Sequence, residues 1–499
     1  MDEQYTELKT LGELRDSGWE SLSVKDEIRK NVIRKIESGE TLFPGILGYD
    51  KSVIPELQHA LLSKHDFILL GLRGQAKTKI LRQLPAFLDE YAPVVKGSQI
   101  NDDPLNPVSK QAIEMIDEHG EETPIEWIHR SQRYGEKLAT PDTAVGDLIG
   151  DIDPIKAAAQ KLTLADENVI NFGLVPRTNR GIFAINELPD LQPRIQVSLL
   201  NIMQERDIQI RGFNIRIPVD VLMVFSANPE DYTNRGNIIT PLKDRIDAQI
   251  LTHYPRKLEI GKKITSQEAW FDRNSKIKVN IPDLLRELLE QVAFEARESE
   301  YIDQKSGVST RMTITAMEQL ISSAERRALV NGEKRTTARI TDLFHVVPAL
   351  TGKLELVYEG EQEGSLNVVK HLIGKAIKKS FKRIFPDPEA QKKQEDPSIY
   401  QPLLDWFANG NTLELTDNMS GEAYEKALEQ VEGLGSVIKE YGKDKQPENR
   451  YILMDFVIES LHQYSMLGKE EIDNGRSYSD MLGSMLGSID DLDNLEDFQ

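Results

Sequence analysis

The residues best equipped for chemistry lie in Gly71-Leu-Arg-Gly74-Gln75-Ala76-Lys77-Thr78. Two glycines let the backbone curl without a Cβ clash. An ammonium group and a hydroxyl follow where a helix would begin. The N–H groups of such a loop, and the helix N-terminus behind it, face an anion, and a phosphate fits. Lys77 can then reach the outer phosphates of a nucleotide, and the Thr78 hydroxyl can hold Mg²⁺. Gln75 and Lys79 complete the candidate binding stretch. Ala76 stands where the last glycine before the lysine usually is, so the loop alone is a degenerate signal. An ordinary strand–turn–helix is the plainer alternative.

More candidates follow downstream. Asn186 and Glu187 close the apolar run Gly181-Ile-Phe-Ala-Ile. In phosphate-loop ATPases such a strand delivers an Asp to the Mg²⁺ shell and a Glu that orients the attacking water. Glu187 fits the second role. Asn186 is neutral: it can hydrogen-bond a metal-bound water but adds no charge, which weakens the expectation of tight Mg²⁺ binding and fast turnover. Thr78, Asn186 and Glu187 are thus the candidate metal-side residues. Asn228, in Ser-Ala-Asn228-Pro229, ends the run Val221–Phe225 and would lie near a γ-phosphate. Arg245, in Pro241-Leu-Lys-Asp-Arg245, could reach the nucleotide of a neighbouring copy; a solvated charge is the alternative. Arg311 follows Ser309-Thr and opens a helix, where cations are disfavoured. A side chain aimed at phosphate would explain that placement, as would a carboxylate partner.

These residues need elements to hold them. Phe67–Leu70 reads as a buried strand and Lys79–Tyr91 as the helix after the loop. Upstream, residues 1–40 read as helical, with Ser23 or Ser21 capping Val24–Glu37. Leu42–Tyr49, with Leu47 and Gly48, reads as an adenine-enclosing segment before helix Ser52–Ser63. Residues 93–180 read as irregular and polar apart from a helix at Val108–His119, and a loop of that length is usually functional. Arg194–Gln204 is an amphipathic helix, 208–219 a hairpin around Gly212, and Ile250–Tyr254 a further strand. Residues 256–350 read as mostly helical. Glu359–Gly364 and Pro386–Pro402 read as linkers, with the basic stretch Lys370–Phe385 between them. Helices near 402–408, 420–441 and 450–467 make a small module, and Asp490–Asp497 an acidic tail.

The chain has 499 residues, enough for several domains. It has 0 cysteines, which excludes disulfides, thiolate zinc and cysteine catalysis, and it fits the cytoplasm. A formal net charge of −21 argues against non-specific nucleic-acid binding as the main activity. No run approaches a membrane span, and the polar, acidic N-terminus is not a signal peptide.

The assembled order, from Ile46-Leu47-Gly48 through GLRGQAKT (71–78), AINE (184–187), 199–219, SANP (226–229), PLKDRID (241–247) and STRMT (309–313), resembles the AAA+ ATPases of the magnesium chelatase I-subunit and MoxR branch. The resemblance covers roughly residues 40–350. It implies an α/β fold: an αβα phosphate-loop core with a parallel sheet (41–255), an all-α lid (256–352) and, beyond the family pattern, a helical C-terminal module (353–499). The stretches 140–153 and 173–183 look like the helix-2 insert of chelatase I-subunits, and 208–219 like the pre-sensor-1 hairpin. By the resemblance, Lys77 and Thr78 are Walker A residues, Asn186 and Glu187 occupy Walker B, and Asn228 matches sensor 1. Arg245 matches the arginine finger, with Arg235 a second candidate, and Arg311 matches sensor 2. The implied cofactors are ATP and Mg²⁺. The implied partners are further copies in a ring, usually a hexamer, and a von Willebrand A domain protein. No Asp-x-Ser-x-Ser motif occurs here, so that domain would lie on another chain. A metal-chelatase subunit, a nucleic-acid motor and a non-hydrolysing scaffold are the alternatives.

Overall fold

The computed structural model describes residues 3–164, 166–210, 215–229, 237–391, 398–442, 447–472 and 474–481. Arg235, the hairpin apex at Gly212 and the acidic stretch 490–497 lie outside the described residues. The chain divides into two compact units, Met1–Tyr254 and Pro255–Gln499.

The first unit is built on five parallel strands: β1 (Phe67–Leu70), β2 (Tyr134–Leu138), β3 (Gly181–Asn186), β4 (Val221–Ala227) and β5 (Ala248–Leu251). Their order across the sheet is β5-β1-β4-β3-β2. The three central strands, β1, β4 and β3, are buried along their whole length, as a parallel sheet covered on both faces requires. Alternation then divides their side chains. Phe67, Leu69, Ile182, Ala184, Leu222 and Val224 enter one core. Ile68, Leu70, Phe183, Ile185, Met223 and Phe225 enter the other. All three tips finish at one end of the sheet, where the polar residues that follow them gather.

The edge strand β2 corrects the sequence reading, because it lies inside the stretch expected to be irregular. Its sequence, Tyr-Gly-Glu-Lys-Leu, has no apolar run, and none of its residues is fully buried. Charges on such a strand also block pairing with another chain. The same stretch holds an antiparallel ribbon (Tyr91–Val95 with Ile125–His129), a second ribbon (Gly150–Ile152 with Ile170–Phe172) and helix Lys110–His119, whose cap is the Ser109 hydroxyl. The helix after the phosphate loop is also shorter than expected. It runs Lys77–Leu81 and gives way to a tight turn at Leu84–Phe87, because Pro85 cannot donate to a continuing helix.

Helix Val24–Glu37 is capped by Ser23, whose Oγ accepts from Asp26 N at 3.2 Å. It is tied to the sheet's other end by Lys25–Asp66 at 2.9 Å and by the buried pair Arg133–Glu27 at 2.5 Å. Helix Pro193–Glu205 leads into the hairpin strands Asp207–Gln209 and Arg216–Pro218, as the sequence predicts.

In the second unit one apolar core runs from Ala269 to Tyr478. Its long helices are Asp283–Glu298, Arg311–Asn331, Ser365–Ile384 and Pro447–Gln463. The unit also carries a short parallel ribbon (Lys278–Asn280 with Arg335–Thr337) and a three-stranded antiparallel sheet (Leu413–Thr416, Gly475–Ser479, Gly468–Ile472). The expected linker at 359–364 is part of helix Tyr358–Glu363. Its Gly360 reads as a linker residue, yet a Cβ there would overlap the Tyr301 carbonyl, so close packing is what requires the glycine. On the basic stretch, Leu372, Ile373, Ile377 and Phe381 are fully buried. Several of its cations pair within the unit: Lys379 with Glu295 at 2.9 Å, Lys382 with Asp387 at 2.8 Å and Arg383 with Glu287 at 3.2 Å. No helix among the described residues is long and apolar enough to cross a membrane.

Candidate functional site at the strand tips

The loop leaves β1 and is shaped by its backbone. Gly74 (φ 75°) and Ala76 (φ 59°) are both left-handed, the kind of turn from which anion nests are built. Ala76 thus takes the conformation that glycine takes in simpler loops, at a steric penalty glycine does not carry. Gly71 is needed for a different reason: a Cβ there would overlap Thr252 Oγ1 and Gln75 Oε1.

A cage of hydrogen bonds holds the loop from behind. The Thr252 hydroxyl, just past β5, donates to Gln75 Oε1 at 2.7 Å. Tyr254 Oη donates to the Arg73 carbonyl at 2.8 Å. Tyr49 Oη lies 2.9 Å from the Gln75 carbonyl and 2.8 Å from that of His253. Burial pushes the Tyr49 phenol up to about 12, so it remains a donor at neutral pH. The segment before helix Val53–Leu62 is sewn to the same helix start. Lys79 Nζ donates to Gly45 O at 3.3 Å and Gln83 to Pro44 O at 3.0 Å. Leu47 is half-buried and Gly48 left-handed (φ 81°) in this segment.

In front of the loop the tips of β1, β3 and β4 converge. Lys77 is buried, and its Nζ donates to the Gly71 carbonyl, to Leu72 O at 3.0 Å and to Asn228 Oδ1 at 2.7 Å. Asn228 Nδ2 donates to Glu187 Oε2 at 2.8 Å. Glu187 is itself left-handed (φ 56°), a strained conformation of the kind that gathers at functional sites. Its N–H points to Ser226 Oγ at 3.4 Å, and that hydroxyl donates to Asn186 Oδ1 at 2.9 Å. Asn186 Nδ2 donates to Glu136 Oε1 at 2.7 Å. Thr78 is half-buried at the helix start.

The structure therefore brings Lys77, Asn186, Glu187 and Asn228 into one bonded row. Arg245 closes a short helix in the same unit, with Nε on Gln204 at 3.0 Å and NH1 on the Pro241 carbonyl at 3.0 Å. Arg311 belongs to the second unit, as the exposed first residue of its helix, with its N–H donating to Ser309 Oγ at 3.1 Å. Sequence reasoning missed Tyr49, Thr252 and Tyr254 behind the loop and Glu136, Arg82 and Ser226 in front. The only advance signal was position: Ser226 follows the apolar run Val221–Phe225, and Thr252 lies within the stretch Ile250–Tyr254 read as a strand.

The family described as the Sigma-54 interaction domain matches residues 162–250. A magnesium-chelatase 38 kDa subunit of Cereibacter sphaeroides is 27% identical over 213 residues, covering 41% of this chain and 56% of that protein. A magnesium-chelatase subunit ChlI homolog of Methanocaldococcus jannaschii is 25% identical over 317 residues, covering 60% of this chain and 81% of that protein. The chain thus spans little more than half the length of the first relative. Solved structures superpose loosely. A model of the BchI–BchD complex of magnesium chelatase gives a TM-score of 0.33 at 21% identity, over 64% of this chain and 98% of that one. A putative ATPase of Cytophaga hutchinsonii gives 0.29 at 18%, over 70% and 95%. Sequence matches, loop and strand order together make the chain similar to the chelatase-type AAA+ ATPases.

Proposed function

We propose that this chain binds ATP with Mg²⁺ in the loop 71–78 and hydrolyses it, in a ring of identical copies, to remodel a partner protein. One observation carries the reading: Lys77, Asn228 and Glu187 are linked at the tips of neighbouring strands, directly beside the left-handed turns of the loop. Lys77 and the loop N–H groups would hold the β- and γ-phosphates, exchanging main-chain carbonyls for phosphate oxygens. Glu187, its carboxylate turned by Asn228, would align the attacking water. Thr78 would hold the cation, with Asn186 on the far side. Among the described residues no group of three or more His, Asp or Glu side chains could hold a metal ion. Mg²⁺ suits such a place, because it is commonly held by few protein ligands and by substrate phosphates.

Arg245 of a neighbouring copy would supply positive charge to the transferring phosphoryl group, with Arg235 as the second candidate, and Arg311 would supply it from residues 256–352, acting as a lid. The hairpin 208–219 or the insert would carry the resulting movement to the partner, a von Willebrand A domain protein on another chain. A metal-chelatase subunit is the second reading, supported by the names of the two curated relatives. Magnesium insertion assayed with purified complexes separates the two. The neutral Asn186 keeps a non-hydrolysing scaffold in view, and phosphate release decides it. Lys77→Ala should abolish ATP binding, whereas Arg245→Ala should abolish hydrolysis and spare binding. Unchanged turnover in either would overturn the site.

A further inference from the structure

Asn186 stands where a carboxylate would be expected, and its amide is engaged at both ends. Nδ2 donates to Glu136 Oε1 at 2.7 Å while Oδ1 accepts from Ser226 at 2.9 Å. An aspartate at this position could not donate to Glu136, so the amide is the residue type that its neighbour demands. Glu136 comes from the adjacent strand. It lies opposite Ala184, two residues before Asn186, so both side chains project from one face of the sheet. Its carboxylate is mostly covered (21% exposed). On the other side Arg82, one turn beyond Thr78 on the loop's helix, meets it as a fork, Nε at 2.9 Å and NH2 at 3.1 Å. Arg82 itself is 65% exposed, so water screens its charge. A formal negative charge therefore does stand at these strand tips, one strand over from where the motif would put it.

We propose that Glu136 replaces the missing acidic residue: it is a positioning residue whose charge acts, through the Asn186 amide, on a divalent cation that enters with a nucleoside triphosphate. This rests on the phosphate-loop reading above. Donation from Nδ2 to a carboxylate makes Oδ1 a stronger acceptor. Outer partners of this kind commonly set cation affinity by 10- to 100-fold. The neutral residue 186 and the acidic residue 136 are then one device, and their identities should be exchangeable.

The test uses the full chain and a fluorescent, non-hydrolysable ATP analogue titrated with Mg²⁺. Glu136→Gln should raise the Mg²⁺ concentration for half-maximal binding about 10- to 100-fold, with analogue binding in chelator unchanged. Asn186→Asp alone should lower the thermal midpoint, since it sets two carboxylates at hydrogen-bonding distance. The double variant E136Q/N186D, which moves the charge back to position 186, should recover most of the Mg²⁺ dependence. A purely structural role predicts no such recovery. An unchanged Mg²⁺ requirement in E136Q, or a double variant no better than E136Q, would overturn the proposal. If E136Q fails to fold, the double variant decides alone: a wild-type Mg²⁺ requirement supports the exchange and a raised one refutes it. If the unaltered chain binds no analogue at any Mg²⁺ concentration, the phosphate-loop reading falls first and this inference with it.

Discussion

Two clusters of charge in this molecule look alike in composition and differ in what their bonds can do. In the second unit, Asp455 and Glu459 lie one turn apart on helix Pro447–Gln463, completely buried. Arg476 meets Asp455 at 2.7 and 2.9 Å and Glu459 at 3.3 Å, and Lys469 meets Glu459 at 3.0 Å. Tyr424 donates to Asp455 Oδ2 at 2.9 Å and Tyr478 to Glu459 Oε2 at 2.5 Å, each sharing its oxygen with Arg476. Burial pushes the Asp455 carboxyl up. Burial also works on Glu459, but Lys469 and Arg476 outweigh it and hold that carboxyl low. Opposite charges are locked to one another away from water, and any ligand would have to break ion pairs to enter. At the strand tips of the first unit, the bonds of Lys77 include those to the Gly71 and Leu72 carbonyls and to the Asn228 amide oxygen. Those are acceptors a phosphate can replace. A polar cluster becomes a binding site when its bonds can be exchanged and a structural pin when they cannot.

The contrast can be broken in either unit. Lys77→Ala should remove nucleotide binding altogether while moving the denaturant midpoint little, measured by ligand titration beside unfolding. A large stability loss would place Lys77 with the structural pins. Arg476→Ala should do the reverse. Removing one partner of a buried ionic cluster costs about 3–5 kcal/mol, read from denaturant unfolding, with nucleotide affinity of the folded fraction intact. A pH series sharpens the same division. Burial holds His462 below its ordinary value of 6.5, despite the pull of Glu459. The unfolded chain therefore takes up a proton first as pH falls. His462 contributes full stability above 6.5, and that contribution is lost as pH drops through its folded value. His462→Gln should flatten this acid-side slope in unfolding measured between neutral and mildly acidic pH. The smallest effect is expected at Ala76. Ala76→Gly relieves a left-handed alanine and should leave stability unchanged or raise it by up to about 1 kcal/mol, as read by thermal unfolding.

The parts of this architecture legible in the sequence were those with a period or a run. Buried strands β1, β3 and β4 each carry an apolar run, so their tips and the polar residues on them could be placed by inspection. Ser23 announced its helix as a cap does, and the hairpin strands alternate. β2 could not be seen, because this edge strand, with no fully buried residue, carries Glu and Lys and no run. Glu136 was hidden with it, since its role depends on a neighbour distant in sequence. The cage behind the loop was equally silent. Tyr49 and Tyr254 reach the loop from sequence positions far from it. The basic stretch 370–383 could be read as a nucleic-acid surface or a helix face, and its ion pairs within the unit support the helix face.

Tyr254 is the last residue of the first unit, and its hydroxyl grips the Arg73 carbonyl in the middle of the phosphate loop. Pro255, which begins the second unit, has a locked φ. The tether between the two halves of the chain is therefore fastened at its upstream end to the backbone that would wrap a phosphate. A shift of that backbone by even a fraction of a hydrogen-bond length therefore acts on the last residue before Pro255. Tyr254→Phe cuts this fastening while leaving every strand-tip side chain in place.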